Sequence, residues 1–310
     1  MDLVVRQPRL PRPGETMFGS GFSAVPGGTG LKQAVAAARL GAAVDFLGMV
    51  GADLHGEQVR GVLASEGIRA EGLRSSSLPT GTAHISVVDS SENSIVVVSG
   101  ANAALTTLSQ VQLDTIGAAA FLVLQCELPV AVLTEGLGAA RTAGVFTVLT
   151  PAPLVALPDG FLDQVDLVVP NQLEAAELTG ENDPVRAAEV LSAGRTWAIL
   201  TLGAEGSVVA FDGAVLGLAP ARPVRAVDGG GAGDTFVGAL VARLATAVPR
   251  GRAARAEPSP AADAADAAGI TEAEMIDAVR WATVAASVSV TRPGTIPAMP
   301  TLAEVTAILS

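Results

Sequence analysis

Residues 223–244 read PVRAVDGGGAGDTFVGALVARL, an extended segment that runs into a glycine-rich turn and then a helix, with Asp234 at the junction. Val224 and Val227 with their neighbours fit a strand. Phe236, Val237, Leu240, Val241 and Leu244 recur at helical spacing, so a helix is expected to open close to Gly231. Its first N–H groups then lack intrahelical acceptors. Glycines at 229–231 and 233, with only Ala232 between, let an anion approach the backbone, where free amides and the positive end of the helix dipole stabilise its charge. A carboxylate placed there would repel a resting phosphate. It makes sense as a base that takes a proton from a hydroxyl while that hydroxyl attacks phosphorus. The bland alternative is a tight turn with a helix cap.

Two other glycine loops are excluded by spacing. A dinucleotide fingerprint needs glycine at the last position of GxGxxG, and counting from Gly229 or Gly231 puts Asp234 or Phe236 there. A Walker A loop needs Gly-Lys-Ser/Thr, whereas the only lysine of the chain, Lys32, lies between Leu31 and Gln33.

Composition narrows the partners. The 310 residues are 49% hydrophobic without an apolar run long enough to span a bilayer, so a soluble chain with a large core is expected. A formal net charge of -12 argues against nucleic acid or an anionic membrane, so a phosphate has to be bound locally by amides, an arginine or a metal. The single cysteine, Cys126, permits no internal disulfide, and the amino terminus lacks the features of a secretory signal, which makes the cytoplasm the expected compartment. Cys126 follows the apolar run Phe121–Leu124 and reads as a buried, inert thiol. His55 and His84 are too few and too scattered for a zinc site.

From about residue 30 the pattern alternates helix and short apolar strand, the signature of a doubly wound sheet with helices on both faces. Strands are expected at Val44–Val50, Ala119–Gln125, Val145–Leu149, Leu167–Val169 and Ala198–Leu202. Helices are expected at Leu31–Leu40, Glu57–Ser65, Val130–Ala143, Leu173–Leu178 and Val185–Ala193. His84–Val88 and Ser94–Val98 flank the turn residues Asp89–Asn93 and read as a hairpin. With extended stretches at residues 2–5 and Met17–Val25 they predict a small accessory sheet that covers a site, giving one domain over 1–310 with lid segments at about 2–25 and 81–100. Residues 249–269, rich in alanine, proline and charge, are expected to be a mobile insertion without chemistry.

In an open parallel sheet, ligands sit beyond the carboxyl ends of the strands. Glu127 follows one predicted strand, Asn171 and Glu174 follow another, and Thr201–Gly203 closes a third. Asn171 and Glu174, three apart at a helix start, share a face. They could hold magnesium waters through oxygen ligands or simply form a capping box, and both roles are compatible.

The motifs, in their order, resemble those of the ribokinase or PfkB family of carbohydrate kinases over nearly the full length. The family pattern Asp-Thr-x-Gly-Ala-Gly-Asp matches Asp228–Asp234 except that Gly229 replaces the threonine, and Asn-x-x-Glu matches Asn171–Glu174. PRPGET at 11–16, PGGTG at 26–30, SGANAAL at 99–105, PAP at 151–153, LTLG at 200–203 and VTRPG at 290–294 extend the match. The resemblance implies a three-layer α/β/α fold with a mainly parallel central sheet and a small β-sheet lid. It implies an ATP-dependent sugar kinase that phosphorylates a primary hydroxyl, D-ribose being the leading substrate, with Mg2+ and K+ as cofactors and a homodimer formed through the lid. By the same resemblance, Asp234 is the general base and the amides of Gly231, Ala232 and Gly233 are the anion hole. Asp2, Gly28, Thr29, Lys32 and Glu127 face the sugar, and Asn171, Thr201, Gly203 and Thr283 face the nucleotide. Asn171 and Glu174 organise Mg2+ through water, and Asp228, Gly230 and Gly294 form the monovalent-cation site. A nucleoside kinase, or a non-catalytic sugar- or nucleotide-binding regulatory relative, are the alternative readings.

Two departures from the family pattern concern the sugar end. The family begins with a core strand, carrying a sugar-contacting asparagine, ahead of the segment equivalent to Asp2. With Met1 as first residue that strand is missing and its neighbours are expected to expose edges, weakening packing and inviting association; a misplaced start codon is the expected explanation. In the glycine loop the ribokinase pattern has lysine at the position of Thr29 and asparagine at that of Lys32. The cation has moved three residues along, about one helical turn, and is expected to retune substrate choice, toward a sugar with an acidic or differently placed oxygen.

Overall fold

The computed structural model describes residues 1–90, 93–247 and 269–309. The insertion expected at 249–269 lies outside the described residues but for Gly269, as does part of the Asp89–Asn93 turn. The chain opens with β1 (Asp2–Gln7), β2 (Gly21–Val25), α1 (Thr29–Arg39), β3 (Gly48–Gly51), α2 (Leu54–Ser65) and β4 (Leu73–Ser76). Next come β5 (Thr82–Val88), β6 (Asn93–Val98), α3 (Ala101–Ala104), α4 (Gln110–Ala118), β7 (Phe121–Gln125), α5 (Val130–Ala143), β8 (Phe146–Thr150) and β9 (Leu167–Val168). The remainder is α6 (Gln172–Thr179), α7 (Pro184–Leu191), β10 (Trp197–Thr201), β11 (Ser207–Phe211), β12 (Ala214–Ala219), α8 (Ala232–Ala247), α9 (Glu272–Ser289) and α10 (Leu302–Leu309).

The large sheet has the order β12-β11-β10-β9-β8-β7; the four strands β7–β10 are parallel and β11 and β12 are antiparallel additions. Strand alternation sorts its apolar side chains between two helical layers. Phe146, Val148, Trp197 and Ile199 pack with Phe236 and Leu240 of α8. On the opposite face Ala198 and Leu200 meet Ala187 and Ala188 of α7, and Leu149 meets Leu133 and Leu137 of α5. A strand buried on both faces is largely apolar, as in WAILT and FTVLT, and the buried hydroxyl of Thr147 in the latter is satisfied by the Asp166 carboxylate at 2.8 Å.

The predicted accessory sheet forms with the order β2-β1-β5-β6, and its hairpin of β5 and β6 is antiparallel. Its joint to the body is a carboxylate. Asp53 caps α2 by accepting from Gly56 N at 2.8 Å and also takes the Thr80 amide (2.8 Å) and hydroxyl (2.6 Å). The Thr80 hydroxyl and amide, with the Gly56 amide, hold this carboxyl down at about 2.

Two expected strands differ from the prediction. Val224–Val227 is not a strand: the amides of Val227 and Asp228 bond to the Val290 carbonyl at the end of α9 (2.7 and 3.2 Å), not to a neighbouring strand, and Val227 is exposed. The run Val44–Val50 forms a strand only over β3, with a lone bridge from Asp45 to Arg69 before it. The physical reason is a missing neighbour, since β3 pairs only with β4, in a two-stranded sheet separate from the six-stranded one.

Between β3 and β7 lies a cavity of about 830 Å3 whose lining includes Phe46, Gly48, Val50, Leu122, Leu124 and Gln125. β7 bonds to β8 along one side only, with Phe146 N donating to Ala120 O. By the parallel alternation, the amides of Phe121, Val123 and Gln125 point into the cavity. We expect them to exchange hydrogen at least about tenfold faster than those of Leu122 and Leu124, which face β8. Equal protection in residue-resolved hydrogen exchange would show the edge to be covered.

Candidate active site

The carboxyl ends of β7, β8, β9 and β10 bring together Gln125 and Glu127, Thr150, Asn171, and Thr201, while the N-termini of α1 and α8 arrive from the helical layer beside them. The two helices cross in near backbone contact. At Gly238 of α8 a Cβ would lie 2.5 Å from the Gln33 carbonyl oxygen and 2.6 Å from Ala36 Cβ of α1. That closeness sets the side chains one turn earlier face to face. Lys32 Nζ of α1 stands 3.0 Å from Asp234 Oδ2 of α8, both side chains being largely buried.

Around Asp234 runs a short polar chain. Gln125 Nε2 donates to Gln33 Oε1 (2.7 Å), and Gln33 Nε2 donates to Thr150 Oγ1 (3.2 Å) and, at 3.5 Å, to Asp234 Oδ1. Burial pushes Asp234 above the usual carboxylate range, Lys32 pulls it back, and Glu127 adds to the rise. At the start of α8, Gly231 adopts φ +73° and its carbonyl accepts from the Thr235 amide (2.8 Å). The earlier amides lie at the open end of the helix, and that of Ala232 only leans on the Gly229 carbonyl at 3.3 Å. The helix opens at Ala232, one residue from the expected start, with Asp234 in its first turn.

The residues expected at the sugar end share one wall. Asp2, Gly28, Thr29, Lys32 and Glu127 all line the 830 Å3 cavity, and Asp234 is tied to it through Lys32 and Gln33. Gly28 is the N-cap of α1 and offers no side chain, so Glu127 supplies the cap from 98 residues away, its Oε1 accepting from Thr29 N at 2.9 Å. Asp2 packs so closely on Gly27 that a Cβ there would fall 2.1 Å from its carboxyl carbon. Any side chain at that point would have to displace the Asp2 carboxylate.

Asn171 and Glu174 form the capping box. Asn171 Oδ1 accepts from Glu174 N (2.9 Å) and Glu174 Oε2 from Asn171 N (2.8 Å). Burial, and next in the upward direction the charge of Asp234, raise Glu174 above its ordinary value, against the opposing hydrogen bond from Asn171 N. The oxygen atoms of Asn171 and Glu174 are donors of the type that suits Mg2+. A bridge pairs Asn171 with Thr201, placing Gly203 (φ +58°) just beyond. Thr283 lies on α9, where its hydroxyl donates to the Val279 carbonyl at 2.8 Å. Asp228 accepts from Gly230 N at Oδ1 (2.8 Å) and from Gly294 N at Oδ2 (3.0 Å), so one carboxylate ties the glycine turn to the loop after α9.

Other polar groups stay outside this arrangement. Cys126 is buried, and burial lifts its thiol to about 11. His55 pairs with Gln58 and His84 with Thr82. Among the described residues, no group of three or more His, Cys, Asp or Glu could hold a metal ion, and no helix is long and apolar enough to cross a membrane. Sequence reasoning missed Gln33, Gln125, Thr150 and Gly238. The signal was present for two of them: Gln33 is a polar residue leading the alanine-rich run of α1, and Gln125 closes an otherwise apolar strand.

The profile described as pfkB family carbohydrate kinase matches residues 1–302. The chain is 35% identical to the ribokinase of Haemophilus influenzae, covering 98% of this chain and 93% of that one, and 35% identical to the ribokinase of Bacillus subtilis, covering 100% and 96%. Among solved structures, Arabidopsis thaliana ribokinase complexed with ribose and ATP superposes with a TM-score of 0.84 at 27% identity, over 100% of this chain and 95% of that one. The ribokinase of Thermotoga maritima superposes with a TM-score of 0.83 at 28% identity, over 99% and 95%.

Proposed function

The chain belongs to the pfkB family of carbohydrate kinases, a phosphotransferase acting on a sugar hydroxyl, and from that premise we propose that it transfers the γ-phosphate of ATP to the primary hydroxyl of D-ribose. The observation that carries this reading is Asp234. A buried carboxylate at the amide-rich start of α8 adjoins a cavity whose other polar walls are Asp2, Gly28, Thr29, Lys32 and Glu127. Asp234 takes the hydroxyl proton as the oxygen attacks phosphorus, and the amides of Gly231, Ala232 and Gly233 stabilise the charge on the moving group. Asp2, Gly28 and Glu127 orient the sugar through its hydroxyls.

On the nucleotide side, Thr201, Gly203 and Asn171 hold the phosphates and Thr283 lies against the nucleoside. Asn171 and Glu174 would hold Mg2+, which would supply charge neutralisation to the phosphates. Asp228, with Gly230 and Gly294, would hold K+ beside the turn that presents the amides, and the Asp228 carboxylate itself ties that turn to the loop after α9. The chain is one domain with its lid over 2–25 and 81–100. The lid pairs two copies into a homodimer, a reading supported by Phe22 (69% exposed) on β2 and Val96 (62% exposed) on β6, the two edge strands of the lid sheet. The protein works in the cytoplasm.

An ADP-release screen across pentoses, hexoses, sugar acids and nucleosides, with and without potassium, tests the proposal. D-ribose is expected to give the highest kcat/KM, and potassium to raise it. A hexose or nucleoside turned over faster than ribose would overturn the substrate assignment.

A further inference from the structure

Of the 19 basic residues only Lys32 is a lysine, and its ammonium is spent on the buried carboxylate that does the chemistry. Its side chain is 16% exposed and that of Asp234 12%. The surroundings are crowded with charge. Asp2 of β1 and Glu127 beyond β7 act on Lys32 together with Asp234, while the Met1 ammonium, which donates to the Gly81 carbonyl at 3.0 Å, lies within the influence of all but Asp234. Glu174 at the start of α6 feels Asp234 as well.

These contributions have opposite signs at the two ends of the pair. Burial works against the Lys32 charge, but Asp234, Asp2 and Glu127 together hold its pKa above the usual lysine range, so it stays an ammonium across the working pH range. At Asp234, burial and Glu127 favour the protonated acid, and the attraction of Lys32 and the weaker bond from Gln33 oppose them. Lys32 is thus the principal group that favours the carboxylate. A protonated Asp234 cannot accept the hydroxyl proton, and a base without its partner is free to turn away from the attacking oxygen.

We propose that Lys32 is the counter-ion of the catalytic carboxylate, a positioning residue that holds Asp234 charged and oriented, rather than a receptor for a charged substrate. The inference rests on the reading of Asp234 as the base. It deepens that reading on the substrate side: with the ammonium committed to Asp234, the cavity presents Asp2 and Glu127 to the incoming molecule and selects neutral polyols over sugar acids. The proton balance is simple. The O–H bond of the sugar breaks as its O–P bond forms, the proton passes to Asp234, ADP leaves with the electrons of the broken P–O bond, and Asp234 returns its proton to solvent.

The test is the pH dependence of kcat/KM from pH 5 to 9 for wild type, Lys32→Met and Lys32→Arg, each with D-ribose and with the corresponding aldonate. Because loss of Lys32 raises the pKa of Asp234, the acid limb of Lys32→Met is expected to move up by at least about one pH unit. That is about a tenfold or greater loss below the limb, recovered as pH rises. Lys32→Arg is expected to keep the limb within about half a unit of wild type, and the ribose-to-aldonate ratio to change by less than about threefold in either variant. A higher KM with an unmoved limb, or a selective change toward the aldonate, overturns the proposal. If Lys32→Met does not give a cooperative melt, Lys32→Gln, which keeps a donor without the charge, is read by the same criteria. The two readings fail separately: wild type inactive on every sugar defeats the assignment of function, whereas an active wild type with an unmoved limb defeats only the role of Lys32.

Discussion

Replacing Asp234 by asparagine lowers kcat by about 10²- to 10⁴-fold while ATP affinity stays within about threefold of wild type. The amide cannot take a proton from the attacking hydroxyl, but the amides at the start of α8 and the Asn171–Thr201 bridge remain. A structural cost is also expected, and it is smaller. Lys32 Nζ and Gln33 Nε2 both donate to the Asp234 carboxylate, and asparagine has a single acceptor oxygen, so one donor loses its partner at about 1–3 kcal/mol. Lys32 keeps Asp2 and Glu127 as compensating charges, so the variant is expected to fold. Steady-state ADP release and ATP titration by calorimetry separate these effects. Retention of more than a tenth of wild-type kcat would remove Asp234 from the role of base.

Gly238→Ala is expected to destabilise the protein by about 1–3 kcal/mol and to lower activity with it. In a free helix alanine is better than glycine by about 0.8–1.0 kcal/mol. Here the added carbon meets the Gln33 carbonyl at 2.5 Å, Ala36 Cβ at 2.6 Å and Ala37 N at 2.9 Å, and backbone cannot rotate out of the way as a side chain can. Steric cost wins, and α1 and α8 separate. Because the same crossing holds Lys32 against Asp234, the 3.0 Å contact lengthens and turnover falls along with stability. Gly138→Ala on α5 is the control. Its Cβ has nothing within 4 Å, so helix propensity alone acts and the substitution should raise the melting temperature. A Gly238→Ala protein that melts at or above wild type would show that the helices have room to spare.

The expected helix Val130–Ala143 is found at those bounds, and the strand over Phe121–Gln125 within two residues of its expected start, because apolar periodicity over a long enough window reports burial on one or two faces. The reading fails at Val224–Val227, where valines and a following turn resemble a strand but the amides go to the end of a distant helix. It also overextends at Val44–Val50, since an apolar run becomes a strand only where another strand stands beside it, and β3 has one neighbour. Local pattern carries no information about that neighbour.

At the site the division is similar. The order of motifs from Gly28 to Gly294 made the family legible, and Asp234 stood out because a carboxylate in a loop of anion-binding amides calls for a chemical reason. For Asn171 and Glu174 the spacing already contained the capping box, which the structure forms. The position of the Lys32 ammonium was not legible. Thr29 and Lys32 are a helical turn apart, and spacing leaves open whether the ammonium turns to solvent, to sugar or to another side chain. Only the crossing of α1 and α8 at Gly238, 206 residues along the chain from Lys32, places it on Asp234. By itself, then, the sequence determined the fold class and the family and singled out the carboxylate proposed as the base, since each is written in periodicity or contiguous motifs. The tertiary structure decided the partner of that carboxylate, the remote cap of α1 by Glu127 and the separation of β3 from β7. Each of these depends on distances between segments far apart in the chain, which no local pattern encodes.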